Sequence, residues 1–133
     1  MCGLWLIFIL AGGISDGSSC ENAPLVYLLA HPHSCDGEKV RFTGYMTYGY
    51  HESTIWSSRE DAEYGRLDNS LWLKFSKGKF KVLPPLKKKK GLDSISGKYV
   101  YVTGRVDRSV RGHQGAYAGA IRVEEILLIP RSK

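Results

Sequence analysis

Gly37-Glu38-Lys39-Val40-Arg41-Phe42-Thr43-Gly44 and Gly97-Lys98-Tyr99-Val100-Tyr101-Val102-Thr103-Gly104 are two versions of one phrase, with Gly, Val, Thr and Gly at matching steps. Around the first, Val40, Phe42, Gly44 and Met46 share one parity, and Lys39, Arg41, Thr43 and Tyr45 the other. The second sets Val100, Val102, Gly104 and Val106 against Tyr99, Tyr101, Thr103 and Arg105. A period of two is that of a strand with one face buried. Glycine inside such a run marks a bend or a close backbone approach, and two bends at one step predict a small sheet that curls on itself. The vocabulary of strands is small, so the echo also fits two unrelated strands.

Three further segments read as strands. Ser53 to Ser57 is short and β-favouring, with Tyr48-Gly49-Tyr50-His51 before it as a connecting loop. Leu71, Leu73 and Phe75 alternate with Trp72 and Lys74. Ala118 to Ile129 forms the last strand, with a bulge near Glu124-Glu125, because strict alternation would bury a carboxylate. Short helices fit elsewhere. Asn22 is placed to cap one with Pro24 in its first turn, Leu25, Leu28 and Leu29 as its apolar stripe, and His31-Pro32 as its end. Ser58 and Asp61 stand at capping-box spacing before a turn or two ending at Gly65. Pro84-Pro85 forbids a continuous helix between Ser76 and Ser96, so that Lys-rich stretch reads as a long basic loop. Arg108 to Tyr117 reads as a glycine-containing loop.

The expected class is therefore all-β with one or two short helices. A chain of 133 residues has room for one core, taken here as a single domain over residues 20–133. Residues 1–19 read differently. Leu4 to Ala11 is an unbroken apolar run, too short to span about 30 Å of hydrocarbon, followed by small and polar residues from Gly12 to Ser19. That order is a secretory signal without a Lys or Arg in front; a buried N-terminal strand or helix is the alternative. Cys2 would leave with the signal, and Cys20 and Cys35 would remain as a pair able to form a disulfide in an oxidising compartment, periplasmic or secreted. Gly17-Ser18-Ser19 before Cys20 also admits lipidation of Cys20 and anchoring to the envelope.

Charge narrows the partners. The net charge of +6 favours anionic ones, and the Lys residues crowd between Lys74 and Lys98 while Glu52, Glu60, Asp61, Glu63 and Asp68 precede them. Lys87, Lys88, Lys89 and Lys90 suit an anionic surface, a membrane included, although solvated loops often carry such runs.

Five strands with glycine-bent first and fourth members resemble the OB-fold barrel. More closely, HPHSCDGEKVRFTGYM (residues 31–46), SSREDAEYG followed by NSLWLKF (57–65 and 69–75), GKYVYVTGRVD (97–107) and RGHQGAYAGAI (111–121) resemble a group of small exported bacterial proteins with an OB-like domain. The likeness covers roughly residues 24 to 127 and implies a five-stranded barrel, but no activity. The helix such folds carry between strands three and four is here replaced by the basic loop. Binding at the barrel mouth is what the resemblance implies.

No serine sits in the context of a nucleophile elbow, no glycine loop cradles a phosphate before a helix, and no zinc-type cysteine spacing occurs. The expectation is a binding module, without a cofactor or metal, for an anionic polymer such as nucleic acid or a charged glycan. Its candidate ligand residues are Tyr48, Tyr50, Trp56, Trp72, Lys74, Arg111, His113 and Tyr117, aromatic faces beside cations that stack on bases or sugars. Trp56 and Trp72 fit equally a satellite core under the short helix, and His113 a hydrogen bond within its own loop. Two other readings stand beside this one. An envelope protein would bind another protein or the membrane surface, and a metal-dependent enzyme would use His31, His33 and Cys35.

Overall fold

The computed structural model describes residues 18–31, 33–86, 91–112 and 115–130. Of the signal reading over residues 1–19, residues 1–17 lie outside the described residues, as do Pro32, Lys87 to Lys90 and His113. In chain order the elements are α1 (Ser18–Glu21), α2 (Leu25–Ala30), β1 (Lys39–Gly49), β2 (Glu52–Trp56), α3 (Arg59–Glu63), β3 (Ser70–Lys74), β4 (Lys81–Leu83), β5 (Lys98–Asp107) and β6 (Ala120–Leu128). Single 3-10 turns sit at Leu67–Asn69 and Leu92–Ile95.

The six strands form one sheet, ordered β3-β2-β1-β5-β6-β4, in which β3 also pairs with β6. The pairings thus run in a ring through β1, β2, β3, β6 and β5. Every contact in the ring is antiparallel except β3 with β6, which is parallel. The two echoing segments are neighbours: β1 and β5 run antiparallel with Val40 opposite Gly104 and Gly44 opposite Val100, so each strand's glycine faces the other's valine. The symmetry reaches their ends. Gly37 N donates to Val106 O at 2.8 Å and Gly97 N to Met46 O at 2.7 Å.

Both internal glycines stand where backbone and side chains crowd. A β-carbon on Gly104 would lie 2.3 Å from Arg122 O and 2.8 Å from Ile121 Cγ2, and one on Gly44 would lie 2.6 Å from Ile55 Cγ1. At Gly104 the obstacle is backbone, which cannot swing aside. Here β6 also slips by one residue: Thr103 faces Glu125 and Gly104 faces Val123, leaving Glu124 as the bulged residue. The expected bulge is present, and both glutamates stay partly exposed.

Val40, Phe42, Met46, Ile55, Leu71, Leu73, Val100, Val102, Ile121 and Ile126 fill the interior. These are the inward parities of the strands, and removing them from water is the main stabilising term. Cys20 and Cys35 form a disulfide, with Cα atoms 5.8 Å apart, that ties α1 to the turn before β1. Closing a loop of this length contributes about 3 kcal/mol through the unfolded chain. The Cys20 sulfur in this bridge is not available for the thioether that lipidation would form.

Three local expectations change. Tyr48 and Gly49 belong to β1, so Tyr50 and His51 alone make the hairpin turn, with His51 in the left-handed region at φ 60. Pro24, not Asn22, is the residue before α2, and no side chain caps that helix. The stretch from Ser76 to Ser96 is not all loop. Lys81–Leu83 joins β6 in parallel, and the turn at Leu92–Ile95 buries Ile95. Ser58 does cap α3, its hydroxyl accepting from Asp61 N at 3.1 Å.

Replacing Gly104 with Ala should lower unfolding free energy by about 3 kcal/mol, the upper range for overpacking. Gly49→Ala, where nothing lies within 4 Å of the added carbon, should change it by about 0.5 kcal/mol or less. Urea denaturation of both variants checks the contrast.

Candidate functional site

The loop between β5 and β6 folds over the outer face of β2 and β3. Thr54 and Trp72 are register partners on that face, and the Tyr117 hydroxyl reaches Thr54 Oγ1 at 2.8 Å. Tyr117 packs edge-on against Trp72 with ring centroids 5.2 Å apart. Burial raises the Tyr117 phenol above its ordinary value and keeps it neutral. Arg111 closes the loop on itself. Its Nε donates to Tyr117 O at 2.9 Å, while Tyr117 N donates to Arg111 O at 3.0 Å. Gly112 fills the gap between these residues at φ +70, where a β-carbon would lie 2.6 Å from Tyr117 and 2.7 Å from Trp72. No side chain fits there.

This packing leaves an open depression of about 420 Å³ lined by His51, Trp72, Lys74, Val110, Arg111 and Gly112. The β1–β2 turn supplies His51, β3 supplies Trp72 and Lys74, and the β5–β6 loop supplies the rest. Two cations and an indole therefore share a concave surface, and among the described residues none that lines it is acidic. A cationic hollow of this kind attracts anions and offers an apolar ring for stacking.

The candidate residues divide clearly. Trp72, Lys74 and Arg111 line the depression, and Tyr117 braces it from beneath with only 7% of its surface exposed. Tyr50 is 91% exposed on the turn, its ring 3.9 Å from that of His51. Tyr48 packs edge-on against Phe75 instead. Trp56 shares the outer parity with Tyr45 but is 4% exposed, its Nε1 donating to Thr47 Oγ1 at 2.9 Å, so it offers no ring to a ligand. His51, Val110 and Gly112 were not expected. A glycine two residues before Gln114 hints at a close approach, but the convergence of a hairpin turn with a distant loop has no local signal.

A second depression of about 480 Å³ lies against β1 and β5, lined in part by Asn22, Pro24, Arg41, Thr43 and Tyr101. Its one cation, Arg41, already stacks over the Tyr101 ring at 5.8 Å. The first hollow, with two cations and an indole, is the better ligand surface. The three residues of the metal reading have other partners: Cys35 is in the disulfide, His31 stacks on Tyr27 at 4.2 Å, and His33 Nδ1 lies 3.3 Å from Arg108 Nη1.

The loop's entry is fixed by Asp107, which accepts from Ser109 N at 2.9 Å and from Arg122 Nε at 2.7 Å. The Ser109 hydroxyl bond first, and Arg122 after it, hold this carboxyl below its usual value of 3.8. A depressed carboxyl stabilises the fold above its unfolded pKa and loses that contribution as pH falls through the folded value. Wild-type protein should thus melt higher than Asp107→Asn at neutral pH, and the gap should close as pH falls below 3.8; melting curves against pH measure it. No protein-family model, curated protein or solved structure matches this chain.

Proposed function

We propose that the chain is an exported, non-catalytic OB-like barrel that holds an anionic polymer, nucleic acid or charged glycan, in the depression around Trp72. The observation that carries this reading is the convergence of Trp72, Lys74 and Arg111 on a hollow that no acid lines among the described residues. It draws support from the hydrogen-bonded ring of strands, whose turn and loop meet at one rim, the place where OB barrels bind oligonucleotides and oligosaccharides. Export is supported by the apolar run Leu4 to Ala11 and by the Cys20–Cys35 bridge, which suits an oxidising compartment. No helix among the described residues is long and apolar enough to cross a membrane.

The division of labour follows from the chemistry. Lys74 contributes a mobile point charge on a flexible stem. Arg111 keeps its Nε engaged with the Tyr117 carbonyl, which leaves the other N–H groups of a planar fork suited to phosphate, sulfate or carboxylate. Trp72 stacks on a base or a sugar ring, and Tyr117 holds its orientation.

Binding of a labelled oligothymidylate and of heparin, a sulfated glycan, tests the reading. At least one should bind and weaken steeply between about 50 and about 200 mM salt. Trp72→Ala should cost about 1–3 kcal/mol of that affinity, the usual contribution of one stacked ring. Salt-insensitive binding, or a Trp72→Ala variant that binds as wild type, would contradict it.

A further inference from the structure

The strand registers align four cations that are far apart in sequence. Lys74 on β3 faces Arg122 on β6, Arg122 faces Arg105 on β5, and Arg105 faces Lys39 on β1. Directly opposed residues share a face, and here it is the outer one, since Leu73, Val123, Gly104 and Val40 beside them are buried. Arg122, Arg105 and Lys39 are exposed, and Lys74 is partly so. Four like charges in direct cross-strand opposition destabilise a sheet. Two acids offset this arrangement. Asp107 holds Arg122 at 2.6 Å, and the bulged Glu124 lies between Lys39 at 3.8 Å and Arg105 at 3.7 Å. The row retains a surplus of positive charge, and exposed pairs as long as those of Glu124 are weak.

Resting on the reading above, we propose that this row is the backbone track of a single-stranded nucleic acid, which leaves the Trp72 depression at Lys74 and crosses β6, β5 and β1. Lys74 belongs to both the hollow and the row, so the two surfaces are continuous. Neighbouring strands are about 4.8 Å apart, so four of them span about 14 Å. A stacked strand with a phosphate about every 3.4 Å of axis presents about four charges over that length. A glycan that alternates charged with neutral sugars presents fewer. Arg105 supplies a planar fork matched to phosphate oxygens, Arg122 adds the N–H groups that Asp107 does not take, and Glu124 occupies the row when no strand is bound.

Lys39 and Arg105 lie two strands and one strand beyond Arg122 and do not line the depression, which separates the two claims experimentally. The full chain is titrated with a fluorescein-labelled oligothymidylate of about 12 nucleotides by anisotropy from about 50 to about 200 mM salt. A double variant, Lys39→Gln with Arg105→Gln, should bind more weakly and lower the slope of log K against log salt by about 1.4, about 0.7 for each lost phosphate contact. Glu124→Gln removes the competing acid and should tighten binding several-fold, a gain that misfolding cannot imitate. If the double variant keeps the wild-type slope while Trp72→Ala still weakens binding, the track is wrong and the depression stands. If heparin binds and the oligothymidylate does not, the nucleic acid is the wrong occupant and the depression again stands. If neither binds, both proposals fall.

Discussion

The carbonyl of Arg122 lies against Gly104 at a separation that admits no side chain. That approach lets β6 sit hard against β5 while its far edge reaches β3, and the slip at Glu124 absorbs the extra residue. With β6 bridging β5 and β3, the loop that joins it to β5 lies over the outer face of β2 and β3. Tyr117 then reaches Thr54, Gly112 closes on Trp72, and the hollow beside Lys74 and Arg111 follows. The chemistry of the rim is thus a consequence of a backbone contact on the opposite edge of the same strand.

Much of this is legible in the sequence. Alternation exposed the inward residues of β1, β3 and β5, because burial on one face imposes a period of two on side-chain type. The bulge at Glu124 followed from the cost of burying a carboxylate, and the cap at Ser58 from a hydroxyl three residues before Asp61. Other features were hidden for identifiable reasons. Lys81–Leu83 joins the sheet through backbone pairing beside two prolines, and three residues carry no periodicity. Asn22 has the side chain of a cap, yet α2 begins at Leu25 behind Pro24. Trp56 has the parity of an outward residue and is nevertheless covered, which only packing decides.

The site was legible in part. Trp72, Lys74 and Arg111 were marked by residue type, aromatic beside cation on an outer strand and in a glycine loop. What brought them together was topology, since His51 and Arg111 are joined only through the turn and the loop that meet over β3. The cation row is more deeply hidden. Lys39, Lys74, Arg105 and Arg122 look like ordinary surface charges until three separate registers place them side by side.

The hydrogen bond from Trp72 N to Gly119 O, 3.1 Å long, joins β3 to the strand that completes the ring. Native-state amide hydrogen exchange at Trp72, compared with Val102 at the centre of β5, reads that closure directly. A closed ring predicts that the Trp72 amide is protected and opens only with the β5 core. Free exchange at Trp72 beside a protected Val102 would mean a sheet open at β3, with no assembled rim, and would contradict the account.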